Sequence, residues 1–130
     1  MDRFEDVLPI TERGVQLLRN PSLNKGSAFT VKERVSLGLV GLLPPAVTDL
    51  DNQIYRVVLN FHAQRTPLDK YIYLRLLQDR NETLFHAVLM RYLAEMTPIV
   101  YTPTVADAVR YYSRIFRSPR GLHITPENID

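Results

Sequence analysis

Residues 66–79 read TPLDKYIYLRLLQD, and this stretch decides the fold because a clear helix start precedes an almost continuous apolar run. Thr66 suits the N-cap position, where a hydroxyl accepts a hydrogen bond from an unpaired amide of the first turn. Pro67 suits the first helical position, where its missing N–H removes no hydrogen bond. We therefore predict a helix over 68–79 that lies at the centre of the domain and is buried on nearly every side.

A second helix start lies upstream of this segment. Thr30 followed by Glu33 forms a capping box, in which each side chain satisfies an unpaired backbone amide of the first turn. The pair predicts a helix that begins near Val31. Gly41 and the proline pair at 44–45 are its predicted stops, because neither glycine nor proline favours a helix interior.

Three further segments carry apolar residues at helical spacing. The first spans 51–64, the second begins at an Asn81 cap and closes at Pro98, and the third begins at a Thr104 cap and ends near 118–119. The residues predicted to face inward are Ile54, Val57, Val58 and Phe61 in the first, Phe85, Val88, Leu89, Tyr92 and Met96 in the second, and Val105, Ala108, Val109, Tyr112 and Phe116 in the third.

Strand signals are scarce in this sequence. Only 99–101 and 122–125 have the β-branched and aromatic content of short strands. A chain of 130 residues that is 45% hydrophobic can build one compact core but hardly two. The sequence therefore predicts a mainly α fold: one compact helical domain over 1–130, with at most short strands at those two places.

Composition excludes several classes of function. The 16 basic and 14 acidic side chains alternate along the chain, so we expect no nucleic-acid surface and interpret the arginines of 110–120 as a helix exterior. The absence of cysteine excludes disulfide scaffolds and thiolate chemistry and favours a cytoplasmic protein. No apolar run is long enough to span a membrane, and residues 1–10 lack the features of a signal or transit peptide.

Metal and nucleotide motifs are also missing from the sequence. His62, His86 and His123 lie far apart without metal-ligand spacing, so core or surface roles are expected for them. The stretch 24–27 reads Asn-Lys-Gly-Ser and is interpreted as a turn, since it lacks the glycine spacing of a phosphate-binding loop. No G-x-G-x-x-G turn of a dinucleotide fold occurs. We therefore predict no metal-binding or cofactor-binding residues in this chain.

Five motifs in a fixed order carry a family resemblance that spans roughly residues 14–125. They are the run 20–30 with Asn20-Pro21 and Asn24 to Thr30, the run 33–45 ending in Leu42-Leu43-Pro44-Pro45, the run Gln78 to Phe85, the run Pro98 to Val105, and Ser118-Pro119-Arg120-Gly121. Together they resemble the amino-terminal domain of malic enzymes. One such motif would be a weak signal, but five motifs in the same order and at similar spacing are not a chance match.

The resemblance implies an enzyme that oxidatively decarboxylates (S)-malate to pyruvate and carbon dioxide, with NAD (or NADP) and Mg²⁺ or Mn²⁺. In that family a lysine is the general base, and the tyrosine of the Tyr-Thr-Pro-Thr motif protonates enolpyruvate. Within the segment 98–105, the resemblance assigns this catalytic role to Tyr101 and places Thr102, Pro103 and Thr104 near the substrate. The amide groups of the helix predicted after Thr104 would add positive potential near the phenol.

Without the resemblance, a lone tyrosine in an apolar run more often packs in a core with its hydroxyl hydrogen-bonded.

Some malic enzymes bind a dicarboxylate activator, and the resemblance assigns its two arginines to Arg56 and Arg80. Arginine suits this ligand because its planar fork donates two parallel hydrogen bonds to a carboxylate. A solvent-facing helix position explains Arg56 equally well, and a local ion pair at a helix junction explains Arg80 equally well. The acidic residue that accompanies this site in animal enzymes is replaced by Thr48.

The same resemblance implies partners. The base lysine, the metal carboxylates and the cofactor-binding domain would all lie beyond this chain, so we expect the chain alone to be inactive and to act with the rest of the enzyme, as a homodimer or tetramer. Two alternatives remain: a malolactic enzyme, which converts malate to lactate, and a stand-alone helical interaction module without catalysis.

Overall fold

The computed structural model describes residues 9–129, which form eight α-helices and one short 3₁₀ turn. The helices are α1 (Gly14–Arg19), α2 (Val31–Ser36), α3 (Leu50–Ala63), α4 (Pro67–Arg80), α5 (Glu82–Arg91), α6 (Leu93–Val100), α7 (Thr104–Arg110) and α8 (Tyr112–Ile115), with the 3₁₀ turn at Gly26–Ala28. Most of the segment 1–10, considered above for targeting features, lies outside the described residues. Within them, no helix has the length and apolar content needed to cross a membrane.

The mainly helical fold class is confirmed, and α4 is its central element. The Thr66 hydroxyl accepts a hydrogen bond from the amide of Asp69 at 3.1 Å, and Pro67 is the first helical residue, as predicted. Helix α4 packs against α3, α5, α6 and α7. The prediction that it is buried on nearly every side is wrong: Leu74 and Leu77 are buried, but Leu76 is exposed, because α7 and α8 are too short to cover the whole helix.

The main core lies where α3, α5 and α6 meet α4. All four inward residues predicted for 51–64 are buried there, and the Asn81 side chain caps α5 through the amide of Leu84. The buried apolar residues of this core are Ile54, Val57, Val58, Phe61, Leu74, Leu77, Leu84, Phe85, Val88, Met96 and Ile99. A second, smaller cluster consists of Leu17, Phe29 and Leu39 in the amino-terminal part.

The single helix predicted from Asn81 to Pro98 is two helices in the structure. The chain leaves helical geometry at Tyr92, which ends α5 and begins α6. Pro98 lies inside α6 and does not end it. Because Pro98 is exposed and only two residues from the end of the helix, the amide hydrogen bond that it removes costs little there.

The last predicted helix is also two short helices, separated at Tyr111. Thr104 is not the cap: Pro103 holds that position, and the Thr104 side chain is buried. Among the residues predicted to face inward, Ala108 is buried and Val109, Tyr112 and Phe116 are exposed. The helices are too short to keep one face on α4.

Neither candidate strand is formed. Ile99 and Val100 end α6, because the turn that precedes them continues the helical hydrogen bonding up to the Tyr101 amide. Residues 122–125 are extended coil with no neighbouring strand among residues 9–129, so they have no backbone partner of the kind a strand requires.

The capping box at the start of α2 is confirmed. The Glu33 amide donates to the Thr30 hydroxyl at 3.2 Å, and the Thr30 amide donates to the Glu33 carboxylate at 2.8 Å. The helix ends at Ser36, earlier than the Gly41 stop, because Gly38 has a φ of +70°. That left-handed residue lets the Leu39 amide donate to the Arg34 carbonyl at 2.8 Å, which closes a Schellman motif.

Arg34 of α2 holds the loops of the amino-terminal part together. Its side chain is buried with 6% exposure, and its guanidinium donates only to backbone carbonyls. The acceptors are the carbonyl oxygens of Ser27, Phe29, Pro44, Pro45 and Ala46, at 2.6–3.4 Å. The Ser27 carbonyl also accepts from the Thr48 amide at 3.0 Å, and for the other four carbonyls the Arg34 side chain replaces the backbone donor of a regular helix.

Replacing Arg34 with methionine should therefore destabilise the fold by about 2–4 kcal/mol, because several partly buried carbonyls lose their donor. The free energy of unfolding in urea measures the effect. The matched control is Lys32→Met, a change to the same residue at an exposed position of the same helix. An equal and small loss in both variants would contradict the assignment.

Candidate functional site

Tyr101 lies at the junction of α6 and α7, with its backbone tied on both sides. Its amide donates to the Thr97 carbonyl at 2.9 Å, and its carbonyl accepts from the Val105 amide at 3.0 Å. The side chain is 65% exposed, and its hydroxyl makes no hydrogen bond to any residue of 9–129. Tyr101 is therefore not a packed core tyrosine, and a fixed backbone presents its phenol to the solvent.

The residues after Tyr101 differ in their access to a ligand. Thr102 and Pro103 are exposed, whereas Thr104 is buried and points its side chain into the domain. The amides of Val105 and Ala106 donate to the carbonyls of residues 101 and 103. These first-turn amides of α7 already have backbone partners. They therefore contribute less positive electrostatic potential at the Tyr101 phenol than the sequence led us to expect.

Two of the sequence motifs, 78–85 and 118–121, meet in one polar cluster. The Arg120 guanidinium donates from Nε to the Asp79 carboxylate and from Nη1 to the Glu82 carboxylate, both at 2.9 Å. Its Nη2 donates to the Gln78 carbonyl at 3.0 Å. The Ser118 hydroxyl donates to the second oxygen of Asp79 at 2.7 Å. The segment after α8 is thereby fastened to the junction of α4 and α5.

The charges of this cluster reinforce one another. Partial burial acts to raise the pKa of Asp79, but the hydrogen bonds from Arg120 and Ser118 and the charge of Arg75 outweigh it and hold that pKa below its usual value. The hydrogen bond with Asp79 also holds the pKa of Arg120 above its usual value. Both partners therefore stay charged at neutral pH, which a lasting ion pair requires.

Sequence reasoning missed this role of Arg120. We placed it on a helix exterior, but the last helix ends at Ile115 and Arg120 lies in the extended segment beyond it. Pro119 was a signal that could have corrected the prediction, because a proline shortly after a helix seldom allows the helix to continue. Nothing in the sequence indicated which carboxylates Arg120 would meet.

A cleft of about 570 Å³ lies beside the cluster. Helices α4 and α5 form its floor with Leu74, Phe85 and Leu89, and the segment 120–123 forms one wall. Val100, the neighbour of Tyr101, lines it as well. The cleft therefore brings the end of α6 and the fastened segment to one concave surface.

Arg56 and Arg80, although on different helices, line a second cleft of about 280 Å³ together with Asn60 and Tyr73. Neither guanidinium makes a hydrogen bond or ion pair within residues 9–129, and both side chains are exposed. The local ion pair considered for Arg80 is not formed, because Arg120 takes the carboxylates on either side of it.

Thr48 lies at the edge of this second cleft. Its hydroxyl is 2.6 Å from the Ser27 hydroxyl, and Ser27 lines the cleft. The turn that carries Ser27 is the one predicted at 24–27; Asn24 fastens it by donating to the Arg80 carbonyl at 3.0 Å. A pair of hydroxyl groups therefore lies at the edge of this cleft.

No three His, Cys, Asp or Glu side chains of residues 9–129 come together in a way that could hold a metal ion. His62 is paired with Glu95, His86 donates from Nδ1 to the Glu82 carbonyl, and His123 contacts the Tyr112 hydroxyl. The three histidines therefore lie in separate contacts and do not form a ligand set.

Comparisons with known proteins match this chain to one family. A family model described as "Malic enzyme, N-terminal domain" matches residues 78–130. The chain is 50% identical over 118 residues to the mitochondrial NADP-dependent malic enzyme of Homo sapiens, covering 91% of this chain and 20% of that protein. It is 47% identical over 125 residues to the NAD-dependent malic enzyme of Idiomarina loihiensis, covering 96% of this chain and 22% of that protein.

It is also 48% identical over 126 residues to NAD-dependent malic enzyme 3 of Bacillus subtilis, covering 97% of this chain and 22% of that protein. The chain spans about a fifth of the length of these relatives.

These relatives are oxidoreductases whose names specify a nicotinamide cofactor. Some of them are named NAD-dependent and others NADP-dependent. The helical fold agrees with the amino-terminal domain that the family model describes. The chain belongs to the malic enzyme family, and its residues 78–130 match the model of that family's amino-terminal domain.

The Asp79–Arg120 pair should make stability depend on pH in a defined direction. The pKa of Asp79 is lower in the folded chain than its usual value of 3.8, so its charge stabilises the fold fully above that pH and the contribution is lost as pH falls through the folded pKa. The difference in melting temperature between the wild type and Asp79→Asn should therefore stay constant near neutrality and shrink below about pH 4.

Asp107→Asn is the matched control, since Asp107 is exposed on α7 and forms no ion pair with the described residues. A difference for Asp79→Asn that is the same at every pH, or that the control reproduces, would show that the charge of Asp79 does not stabilise the fold.

Proposed function

We propose that this chain is part of an enzyme that oxidatively decarboxylates (S)-malate to pyruvate and carbon dioxide, and that Tyr101 is its general acid. Support comes from 50% identity over 91% of the chain to an enzyme named for this family, and from the 65% exposure of Tyr101 on a fixed backbone. A proton donor must reach its acceptor, and an exposed hydroxyl without an intramolecular partner meets that condition.

The position of Tyr101 also suits a precise reaction. Met96 and Ile99 on one side and Thr104 and Ala108 on the other are buried, so the short loop between α6 and α7 is anchored at both ends. Such anchoring lowers the conformational freedom of the phenol. Thr102 and Pro103 are exposed beside it and are our proposed substrate-facing neighbours, whereas Thr104 acts by anchoring the loop.

No three His, Cys, Asp or Glu side chains of residues 9–129 come together, and the sequence has no G-x-G-x-x-G turn, so our proposal places neither the metal nor the dinucleotide on this chain. We propose that the metal carboxylates, the base lysine and the binding site for NAD (or NADP) belong to the four fifths of the relatives' length that this chain does not span. A general acid contributes about 10²–10⁴ in rate only when the substrate is already positioned. The 130 residues alone should therefore be inactive.

We also propose that the enzyme acts as a homodimer or tetramer. Exposed apolar side chains on neighbouring helices support this, because soluble chains rarely leave such residues uncovered in groups. They include Tyr55 and Leu59 on α3, Met90 on α5 and Leu93 on α6.

Replacing Tyr101 with phenylalanine in the full-length enzyme should lower kcat about 10²–10⁴-fold while KM for malate changes little, because only the proton donor is removed. Steady-state kinetics on purified enzyme measures both constants. Tyr111→Phe is the matched control, since it removes a tyrosine hydroxyl at the α7–α8 junction, outside both clefts. Normal turnover with Tyr101→Phe would contradict the proposal.

The same assay should identify the product, because a malolactic enzyme would yield lactate where we propose pyruvate.

A second proposal concerns regulation: the cleft with Arg56 and Arg80 binds a dicarboxylate activator. The two guanidinium groups share one cleft and have no partner within residues 9–129, so both are available to a carboxylate. Asn60 and Tyr73 add side chains that can hydrogen-bond a second polar group. The Thr48 hydroxyl lies at the edge of this cleft, 2.6 Å from the Ser27 hydroxyl, and adds a further hydrogen-bonding group.

Arg56→Gln and Arg80→Gln should each weaken activation by fumarate or aspartate about tenfold or more and leave the basal kcat unchanged, since a charge-assisted hydrogen bond contributes about 1.5–3 kcal/mol. Activation curves of the full-length enzyme give the half-saturating concentration. Arg65→Gln, at an exposed position between α3 and α4, is the control. Unchanged activation in both cleft variants would disprove the assignment.

A further inference from the structure

The segment after α8 is held to the domain by polar contacts and hardly at all by apolar burial. Leu122 is 93% exposed and Ile124 is 71% exposed. By contrast, the Arg120 side chain is about three quarters covered and uses all three of its nitrogens. The position of 120–123 therefore depends on polar contacts, three of them from Arg120, together with the contact of His123 with Tyr112.

The acceptors of Arg120 are themselves fixed. Asp79 is in the last turn of α4 and Glu82 in the first turn of α5, so both carboxylates stand on helices that the core holds in place. The second oxygen of Glu82 accepts from the Ser22 hydroxyl at 3.2 Å. Arg120 thus joins a segment without regular secondary structure to the junction of two helices.

Arginine suits this task better than lysine does. Its planar fork meets two carboxylates and one carbonyl in fixed directions, whereas an ammonium group is a point charge on a flexible stem. Both ion pairs are partly screened by solvent, so their net contribution to global stability is modest. The main effect of these contacts is on geometry, because they determine the position of the backbone of residues 121–123.

Those residues form the wall of the 570 Å³ cleft that Val100 also lines. Val100 is the last residue of α6 and is followed directly by Tyr101. The other residues that line the cleft belong to α4 and α5, apart from Tyr112 of α8. A shift of the wall therefore changes the width of a cleft that is lined by Val100, the residue next to the proposed general acid.

We propose that Arg120 is a positioning residue of the enzyme, and that it fastens the segment 118–123 to the α4–α5 junction and thereby sets the cleft beside Tyr101. This inference rests on the proposed function of Tyr101. The guanidinium does not touch the reacting atoms; it acts through the position of the polypeptide that forms the cleft wall.

The test is a double-mutant cycle on the full-length enzyme with Arg120→Gln and Tyr101→Phe, alone and combined. Arg120→Gln should lower kcat about tenfold, because a displacement of about 1 Å in an active site is enough for such a loss. The loss should be much smaller in the Tyr101→Phe background, since two changes that act on one step are not additive. Arg120→Lys should have a kcat between those of the wild type and Arg120→Gln.

Arg117→Gln is the matched control, because the Arg117 side chain lies three residues upstream and donates only to the nearby carbonyls of Arg114 and Phe116. Normal kcat in Arg120→Gln, or an equal fold-loss in both Tyr101 backgrounds, would overturn the inference. Melting curves show whether each variant is folded. If Arg120→Gln does not fold, Glu82→Gln takes its place in the cycle, because it removes one ion pair and leaves the other.

The two proposals fail in different ways. If Tyr101→Phe alone turns over malate normally, the role of Tyr101 as general acid is wrong, whatever Arg120→Gln does. If Tyr101→Phe is impaired but Arg120→Gln behaves like Arg117→Gln, the acid role stands and the positioning role of Arg120 is refuted.

Discussion

A backbone carbonyl that is removed from water needs a hydrogen-bond donor, and this domain contains long stretches in which no helix supplies one. Arg34 meets that need in the amino-terminal part, where its buried guanidinium joins the turn around Ser27 to the proline-rich loop at 44–46. Arg120 performs a related task at the other end of the chain, with carboxylates as its main partners. Helices α3, α4, α5 and α6 build the main core, and these two side chains determine how the irregular segments lie on the domain. The geometry of both clefts follows from those segments.

The helix starts at Thr66 and Thr30 were predicted correctly, because the hydrogen bonds that decide them join residues within one helical turn. The Thr66 cap with Pro67 and the capping box from Thr30 to Glu33 appear in the structure as predicted, since a hydroxyl, a carboxylate and an amide of one turn decide them. The breaks at Tyr92 and Tyr111 were not predicted, because each depends on how helices pack on α4. The contact of Arg120 with Asp79 joins residues 41 apart in the sequence, and no spacing rule indicates such a pair.

The candidate site shows the same division. Periodicity alone would have made Tyr101 a core residue, and only the resemblance to malic enzymes marked it; its exposure then separates it from the packed tyrosines of the domain. Arg56 and Arg80 lie on different helices, and their meeting in one cleft depends on the packing of α3 on α4 and on the turn that Asn24 fastens. Helical spacing places a residue on a face of its own helix. It does not reveal which faces of separate helices come together.

The interruption of the chain at Tyr92 has a consequence for how this part of the family can vary. In one continuous helix, an inserted residue would rotate everything that follows by about 100° and advance it by about 1.5 Å. Here the residue between α5 and α6 has left helical geometry, with φ −121° and ψ 35°. A change of length at that joint can be absorbed by its torsion angles. Helix α6, which is followed by Tyr101, would then keep its orientation while the length and sequence of the neighbouring surface change.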